Sequence, residues 1–177
     1  MRFLKRLVYF LIAVVLLLVA GAYLLPQKVP VERSVVIDAP AGEIFPYLNS
    51  AQRSAAWSPW LGLDPAVALT YEGPAEGVGN RLIWRSDNPD VGSGRQEITL
   101  STPDERVESS LDFGNMGTAQ AWFALVPEGA GTRVTWGLNA DMGMNPIGRW
   151  MGLMMDRWVG ADYERGLANL KALVEGG

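Results

Sequence analysis

The chain has neither a cysteine nor a histidine in its 177 residues. Without thiols there are no disulfide staples, no thiolate nucleophile and no cysteine-ligated zinc or iron. Without imidazole, Ser-His-Asp and Cys-His nucleophile systems are excluded, as is any histidine-ligated metal, and the usual neutral-pH general base is missing. Positive charge is also scarce: 15 Lys and Arg stand against 19 Asp and Glu, for a net charge of -4. No basic stripe able to displace phosphate counterions is present, so nucleic acid is not an expected partner. No metal and no cofactor is expected.

Charge is absent altogether from one long stretch. Arg2, Lys5 and Arg6 precede an unbroken apolar run from Leu7 to Leu25, close to the roughly 20 residues a helix needs to cross ~30 Å of hydrocarbon. The expected layout is a basic tip over residues 1–6, a transmembrane helix over 7–25, a proline-bearing connector over 26–30 and one folded domain over 31–177. Cations before the run favour a cytoplasmic N-terminus, with the domain on the periplasmic or extracellular side of an inner or plasma membrane. A cleavable signal peptide is the alternative, because Ala20-Gly21-Ala22 resembles a processing site and cleavage near Ala22 would release a secreted domain. Tyr23, Leu24 and Leu25 continue the run past that point, which suits a retained anchor better.

The roughly 150 residues that follow are enough for one domain with a substantial core or a pocket. Val31, Arg33, Val35 and Ile37 alternate with more polar neighbours, the period-2 signature of a strand. Asp38-Ala39-Pro40-Ala41 breaks that pattern, and short helices are expected over Gly42 to Asn49 and Gln52 to Trp57. Six further strands are expected over Ala66 to Tyr71, Asn80 to Ser86, Arg95 to Ser101, Arg106 to Phe113, Thr118 to Val126 and Thr132 to Met142. The turn signals between them read as an antiparallel meander. A long helix from about Pro146 to Glu175 closes the chain.

The segments "VVIDAPAGEIFPYL", "SAAWSPW", "GVGNRLIW" and "NPIGRWMGLMMDRWVGADYERGLANLK" resemble the START-like, or SRPBCC, superfamily of polyketide cyclases, lipid-transfer and Bet v 1-type proteins. The resemblance runs from about Val31 to Val174. It implies an α+β helix-grip fold, in which a curved seven-stranded antiparallel sheet holds the long C-terminal helix above a deep apolar cavity. One N-terminal transmembrane helix would precede it here, a departure from the commonest family layout.

Strand alternation assigns Val35, Ile37, Leu82, Trp84, Ile98, Leu100, Leu111, Phe113, Trp122, Trp136 and Leu138 to the concave face. Ordinary core packing competes with ligand contact at each of them. The expected cavity lining is Trp57, Trp60, Tyr71, Trp84, Arg85, Ile98, Leu111, Phe113, Trp122, Trp136, Met155 and Val159. Tyr71, Arg81, Arg85, Gln96, Glu97 and Asp112 are the polar candidates. Trp57 and Trp60 read equally as a lid at the cavity mouth or as a plug sealing the sheet edge. The closing helix carries a second apolar stripe of Ile147, Trp150, Met151, Met154 and Trp158, with Arg149 and Arg157 beside it. One sheet cannot bury both stripes, so Trp150, Met151, Met154 and Trp158 are expected at the mouth or on the bilayer, with the two arginines suited to anionic headgroups.

These features imply a membrane-anchored binding protein for a hydrophobic small molecule or lipid, acting by sequestration or transfer, with no catalytic residue assigned. One alternative is a polyketide cyclase- or dehydratase-like enzyme on the same scaffold, polarising a carbonyl with Arg81 or Arg85. The other is a protein-interaction module with a collapsed cavity.

Overall fold

A computed structural model describes residues 2–114 and 117–176. The chain begins with helix α1 (Arg2–Ala22), then strand β1 (Lys28–Ile37) and two short helices, α2 (Ala41–Leu48) and α3 (Ala51–Ser54). A 3-10 turn at Leu61–Leu63 leads into a meander of β2 (Ala68–Glu72), β3 (Arg81–Arg85), β4 (Ser93–Thr102), β5 (Arg106–Asp112), β6 (Thr118–Glu128) and β7 (Gly131–Asp141). Helix α4 (Pro146–Glu175) follows. The strands form one antiparallel sheet in the order β1-β7-β6-β5-β4-β3-β2. Seven strands, two short helices after the first and a closing helix make this the expected helix-grip arrangement.

Local chemistry explains both ends of the frame. Asn145 caps α4, its side-chain oxygen accepting from the backbone N–H of Ile147 at 3.0 Å and of Gly148 at 3.4 Å, and Pro146 occupies the first turn. That satisfies two of the donors a helix start leaves open, and the proline costs nothing there. Strand β1 starts at Lys28, earlier than the alternation alone suggested, because Lys28 to Val31 pair in register with Asp141 to Leu138 of β7. The connector shrinks to a few residues, themselves tied down: Gln27 accepts from the Met142 N–H at 2.9 Å and donates to Asp141 Oδ1 at 3.0 Å.

Among the described residues, α1 is the one helix long and apolar enough to cross a membrane, a test that a signal sequence also passes. Its 21 residues span about 31 Å at 1.5 Å per residue.

The core sits between the sheet and the C-terminal half of α4. Val31, Ile37, Val134, Leu167 and Leu170 are all but fully buried, with Ile44, Phe45 and Leu48 of α2 closing one end. Close approach is permitted by glycines on α4. At Gly166 a Cβ would stand 2.8 Å from the Trp136 ring, and at Gly160 it would collide with the Arg33 guanidinium. Arg33, an inward residue of the edge strand, therefore lies against the helix backbone. There it binds Asp156 at 2.9 Å and Glu164 at 2.7 Å, about one turn to either side.

Candidate functional site

Register fixes which side chains share the concave face, since directly paired residues point the same way. Reading across the sheet, Tyr71 pairs with Leu82, Leu82 with Gln96, Gln96 with Leu111, Leu111 with Ala119 and Ala119 with Ala140. A second row links Trp84 to Gly94, and a third links Ile98 to Ser109, Ala121 and Leu138. All of these look toward the helix side of the sheet.

Cover over this face is uneven. The inward residues of β6 from Ala119 to Leu125 and of β7 from Thr132 to Ala140 are buried, whereas Leu69, Trp84, Gln96 and Leu111 are only half-buried and Tyr71 is exposed. The sealed part is filled with aromatic rings. Trp136 stacks on Tyr163 with centroids 3.8 Å apart, and Trp57 meets Trp136 edge-on at 5.3 Å and Phe123 at 5.8 Å. Trp57 donates its Nε1 hydrogen to the Tyr47 carbonyl at 3.1 Å, so its polar end is satisfied inside the core. Trp57 is thus a plug. Trp60 stands at the rim, half-buried, edge-on to Trp136 and Tyr163 and donating to Asp162 Oδ2 at 2.9 Å.

The open part is a strip over β2 to β5. Trp84 and Phe113 meet edge-on at 5.9 Å, and Trp84 Nε1 donates to the Val91 carbonyl at 3.3 Å. Leu111, Phe113, Trp60, Met155 and Val159 are partly buried against the margin of the core. The polar groups on the strip are few. Gln96 donates through Nε2 to the buried Ser109 hydroxyl at 3.3 Å, leaving its amide oxygen for another donor. The Tyr71 hydroxyl has its pKa pushed up by partial burial, and that of Tyr163 is pushed up much further, so both phenols stay protonated at neutral pH. Apolar surface with one amide and one neutral hydroxyl can hold and orient a hydrophobic molecule.

Several expected lining residues lie elsewhere. Trp122 is on the convex face, opposite Glu108 and Gly137; its indole occupies the space a Cβ at Gly137 would need, and the Arg106 guanidinium sits 4.9 Å from the ring centroid. The inward aromatic of that pair is Phe123. Arg85 pairs with Ala68 and Ser93 on the convex face and is exposed. Arg81 and Glu97 share that face, where Arg81 bonds Glu97 at 2.8 Å and Glu72 at 2.9 Å. Asp112, paired with Arg95, belongs to it too. Leu100 also points outward, because a bulge between Ile98 and Leu100 shifts the strand phase by one residue. Ile98 and Trp136 face inward but are buried in the core. Beneath the helix the Trp57, Phe123, Trp136 and Tyr163 rings pack against one another, and the strip is apolar surface of this face that stays incompletely covered. Arg149 is likewise buried: it donates to the carbonyls of Gly143 at 3.0 Å and Leu25 at 3.2 Å rather than facing headgroups.

Two clefts lie at the periphery. One of about 330 Å³ runs between β1 and α4, lined by Ser34, Val35, Leu167, Ala168 and Lys171 among others. The second, of about 260 Å³, lies between α1 and the start of α4. Neither is lined by the residues of the strip. Among the described residues no cluster of His, Cys, Asp or Glu is arranged to hold a metal ion.

An antiparallel seven-stranded sheet gripping a C-terminal helix defines the Bet v 1-like, or SRPBCC, class of domain. Residues 28–175 match the family described as polyketide cyclase/dehydrase and lipid transport, and the chain belongs to that family. Among solved structures, the fold is similar to the di-domain aromatase/cyclase StfQ of the steffimycin biosynthetic pathway, with a TM-score of 0.63 at 15% identity. That match covers 85% of this chain and 51% of the StfQ chain. Ara h 8.0201 matches with a TM-score of 0.61 at 10% identity, covering 85% of this chain and 99% of the other. The Aha1 dimer from Colwellia psychrerythraea gives 0.56 at 19% identity, covering 83% and 96%. No curated protein matches the sequence.

Proposed function

We propose that this protein binds a hydrophobic small molecule or lipid on the half-open strip of its concave face, as a domain held at a membrane by α1, and acts by sequestration or transfer. The observation that carries the reading is the strip itself. Trp84, Leu111 and Phe113 remain incompletely covered on a face whose other half is sealed, and buried apolar area contributes about 25 cal/mol per Å² when a ligand covers it. Family membership and the resemblance in fold to an aromatase/cyclase support an apolar ligand. Arg81 and Arg85, the groups a cyclase-type alternative would use, are on the opposite face of the sheet.

Retention of α1 as an anchor is supported by its contacts with the domain. Trp150 Nε1 donates to the Leu18 carbonyl at 3.0 Å, and Arg149 reaches the Leu25 carbonyl. Cleavage near Ala22 would remove the first of these. Arg2, Lys5 and Arg6 favour a cytoplasmic start and an external domain.

Organic extraction and native mass spectrometry of the full chain, together with titration of an apolar fluorescent probe, test the reading. A copurifying apolar molecule is expected, with probe affinity reduced in Phe113→Ala and unchanged in Arg85→Ala. Equal affinity in all three proteins would remove the strip as the site and favour a protein-interaction role.

A further inference from the structure

On α4 the residues buried on the side of the domain include Arg149, Gly152, Gly160, Tyr163 and Leu167. At about 100° per residue, Ile147, Trp150, Met151, Met154 and Trp158 form a stripe centred roughly 180° away, pointing out of the domain. These five large apolar side chains are between 37% and 70% exposed, a patch of the kind that marks an interaction surface. What covers it is indicated by its neighbour. The first turn of α4 lies beside the last turns of α1: the cleft between them is lined by Val15, Leu18 and Val19 on one side and Pro146, Ile147 and Trp150 on the other. Leu18 accepts the Trp150 indole hydrogen four residues before α1 ends, about 6 Å down the helix axis. A bilayer around α1 would therefore reach the start of the stripe.

The stripe ends as α4 runs on. Beyond Trp158 the same outward face carries Ala161, Arg165, Ala168 and Ala172, so its large apolar side chains are confined to the part of the helix nearest α1. A protein partner would not require that coincidence; a surface at a fixed level beside α1 would. The junction is also braced. The Arg149 guanidinium lies 5.3 Å from the centre of the Tyr23 ring and donates to carbonyls following α1, placing a cation where a helix terminus is partly negative. Exposed Arg157 lies at the edge of the stripe, within the headgroup layer if the indoles sit at the interface.

We infer that the first half of α4 is seated in the bilayer interface beside α1, its Ile147, Trp150, Met151, Met154 and Trp158 stripe immersed as in an interfacial amphipathic helix. Met155 and Val159, on the adjoining side of the same turns, are partly buried against the core. The inference rests on α1 spanning the membrane.

The absence of cysteine makes single spin labels clean. Full-length Leu11→Cys, Met154→Cys and Ala172→Cys would be labelled in nanodiscs of phosphatidylcholine and phosphatidylglycerol, and collision with oxygen compared with collision with a water-soluble nickel chelate. Ala172 lies on the face of Met154 about five turns on. Labels at 11 and 154 should show an oxygen-to-nickel ratio several-fold above the label at 172. A lipid-like label at 11 with an aqueous or doubly shielded label at 154 would overturn the seated stripe and leave the anchor intact. An aqueous label at 11 would remove the anchor, and the seated stripe with it.

Discussion

The two halves of the concave face share one sheet and one hydrogen-bond ladder, yet one is a core and the other a surface. Over β6 and β7, helix α4 and the loop carrying Trp57 exclude water, and Val134, Trp136 and Leu138 are buried. Over β2 to β4 that cover is partial: Leu82 and Ile98 are buried, but Leu69, Trp84 and Gln96 are half-buried and Tyr71 is exposed. The difference lies in the reach of the helix, because both halves offer large apolar side chains. Stability should therefore concentrate in the sealed half and adaptable apolar contact in the open one, as elements with fewer buried contacts open more easily.

The sharpest way to break this comparison is to remove one tryptophan from each half. Trp136→Ala deletes a ring that stacks on Tyr163 and touches Trp57, Trp60 and Phe123, and should cost about 3–5 kcal/mol, as truncation of a buried Trp usually does. Urea denaturation of the full chain in detergent reads this as a lower midpoint. A loss no larger than that of Trp84→Ala would mean the two halves do not differ as described.

A smaller effect is expected from overpacking. Gly166→Ala gains helix propensity but sets a methyl 2.8 Å from the Trp136 ring and 3.1 Å from Pro59, two rigid neighbours. The net should be destabilising by about 1–3 kcal/mol. A stabilised variant would show that the aromatic stack has slack.

The open half should respond in binding before stability. Trp84→Ala removes the ring that meets Phe113 and lies over Gly94, and should weaken an apolar probe about tenfold, equivalent to ~1.4 kcal/mol. The near-ultraviolet circular dichroism signature of the remaining core should persist. Unchanged probe affinity would move the ligand away from this strip.

Much of the frame was legible from periodicity. Strand alternation assigned Leu82, Trp84, Leu111, Trp136 and Leu138 to the concave face, and the closing helix begins at Pro146, where it was expected. What failed to read was phase. The bulge after Ile98 turned Leu100 outward, and in the adjacent pair Trp122-Phe123 either aromatic satisfied the pattern, so the larger ring was assigned inward while Gly137 gave it room on the other face. Arg33 had the inward phase but carried a charge. Its place was set by Gly160, Asp156 and Glu164, more than 120 residues away in sequence. Arg149 failed for a similar reason, since its carbonyl partners lie in a different helix junction. The uneven cover of the concave face is a tertiary property, and no local pattern encodes how far a helix reaches.

The smallest expected effect probes the charged edge of the sealed half. The hydrogen bond from Arg33 holds the Asp156 carboxyl below the usual aspartate range, and the Asp38 N–H, seconded by Lys171, does the same for Glu175 at the far end of α4. A carboxyl depressed on folding stabilises the fold at pH above its unfolded value, near 3.9 for Asp. That contribution is lost as the pH falls through the folded value. Both carboxylates are solvent-exposed, so screening keeps the effect small. The urea midpoint should accordingly fall between about pH 5 and pH 3 in the parent chain, with a shallower fall in Arg33→Gln, which leaves Asp156 nothing to lose on protonation. Arg85→Ala, on the convex face of the open half, should track the parent. Identical acid slopes in Arg33→Gln and the parent would show that the Arg33 clamp positions the edge strand without coupling to its stability.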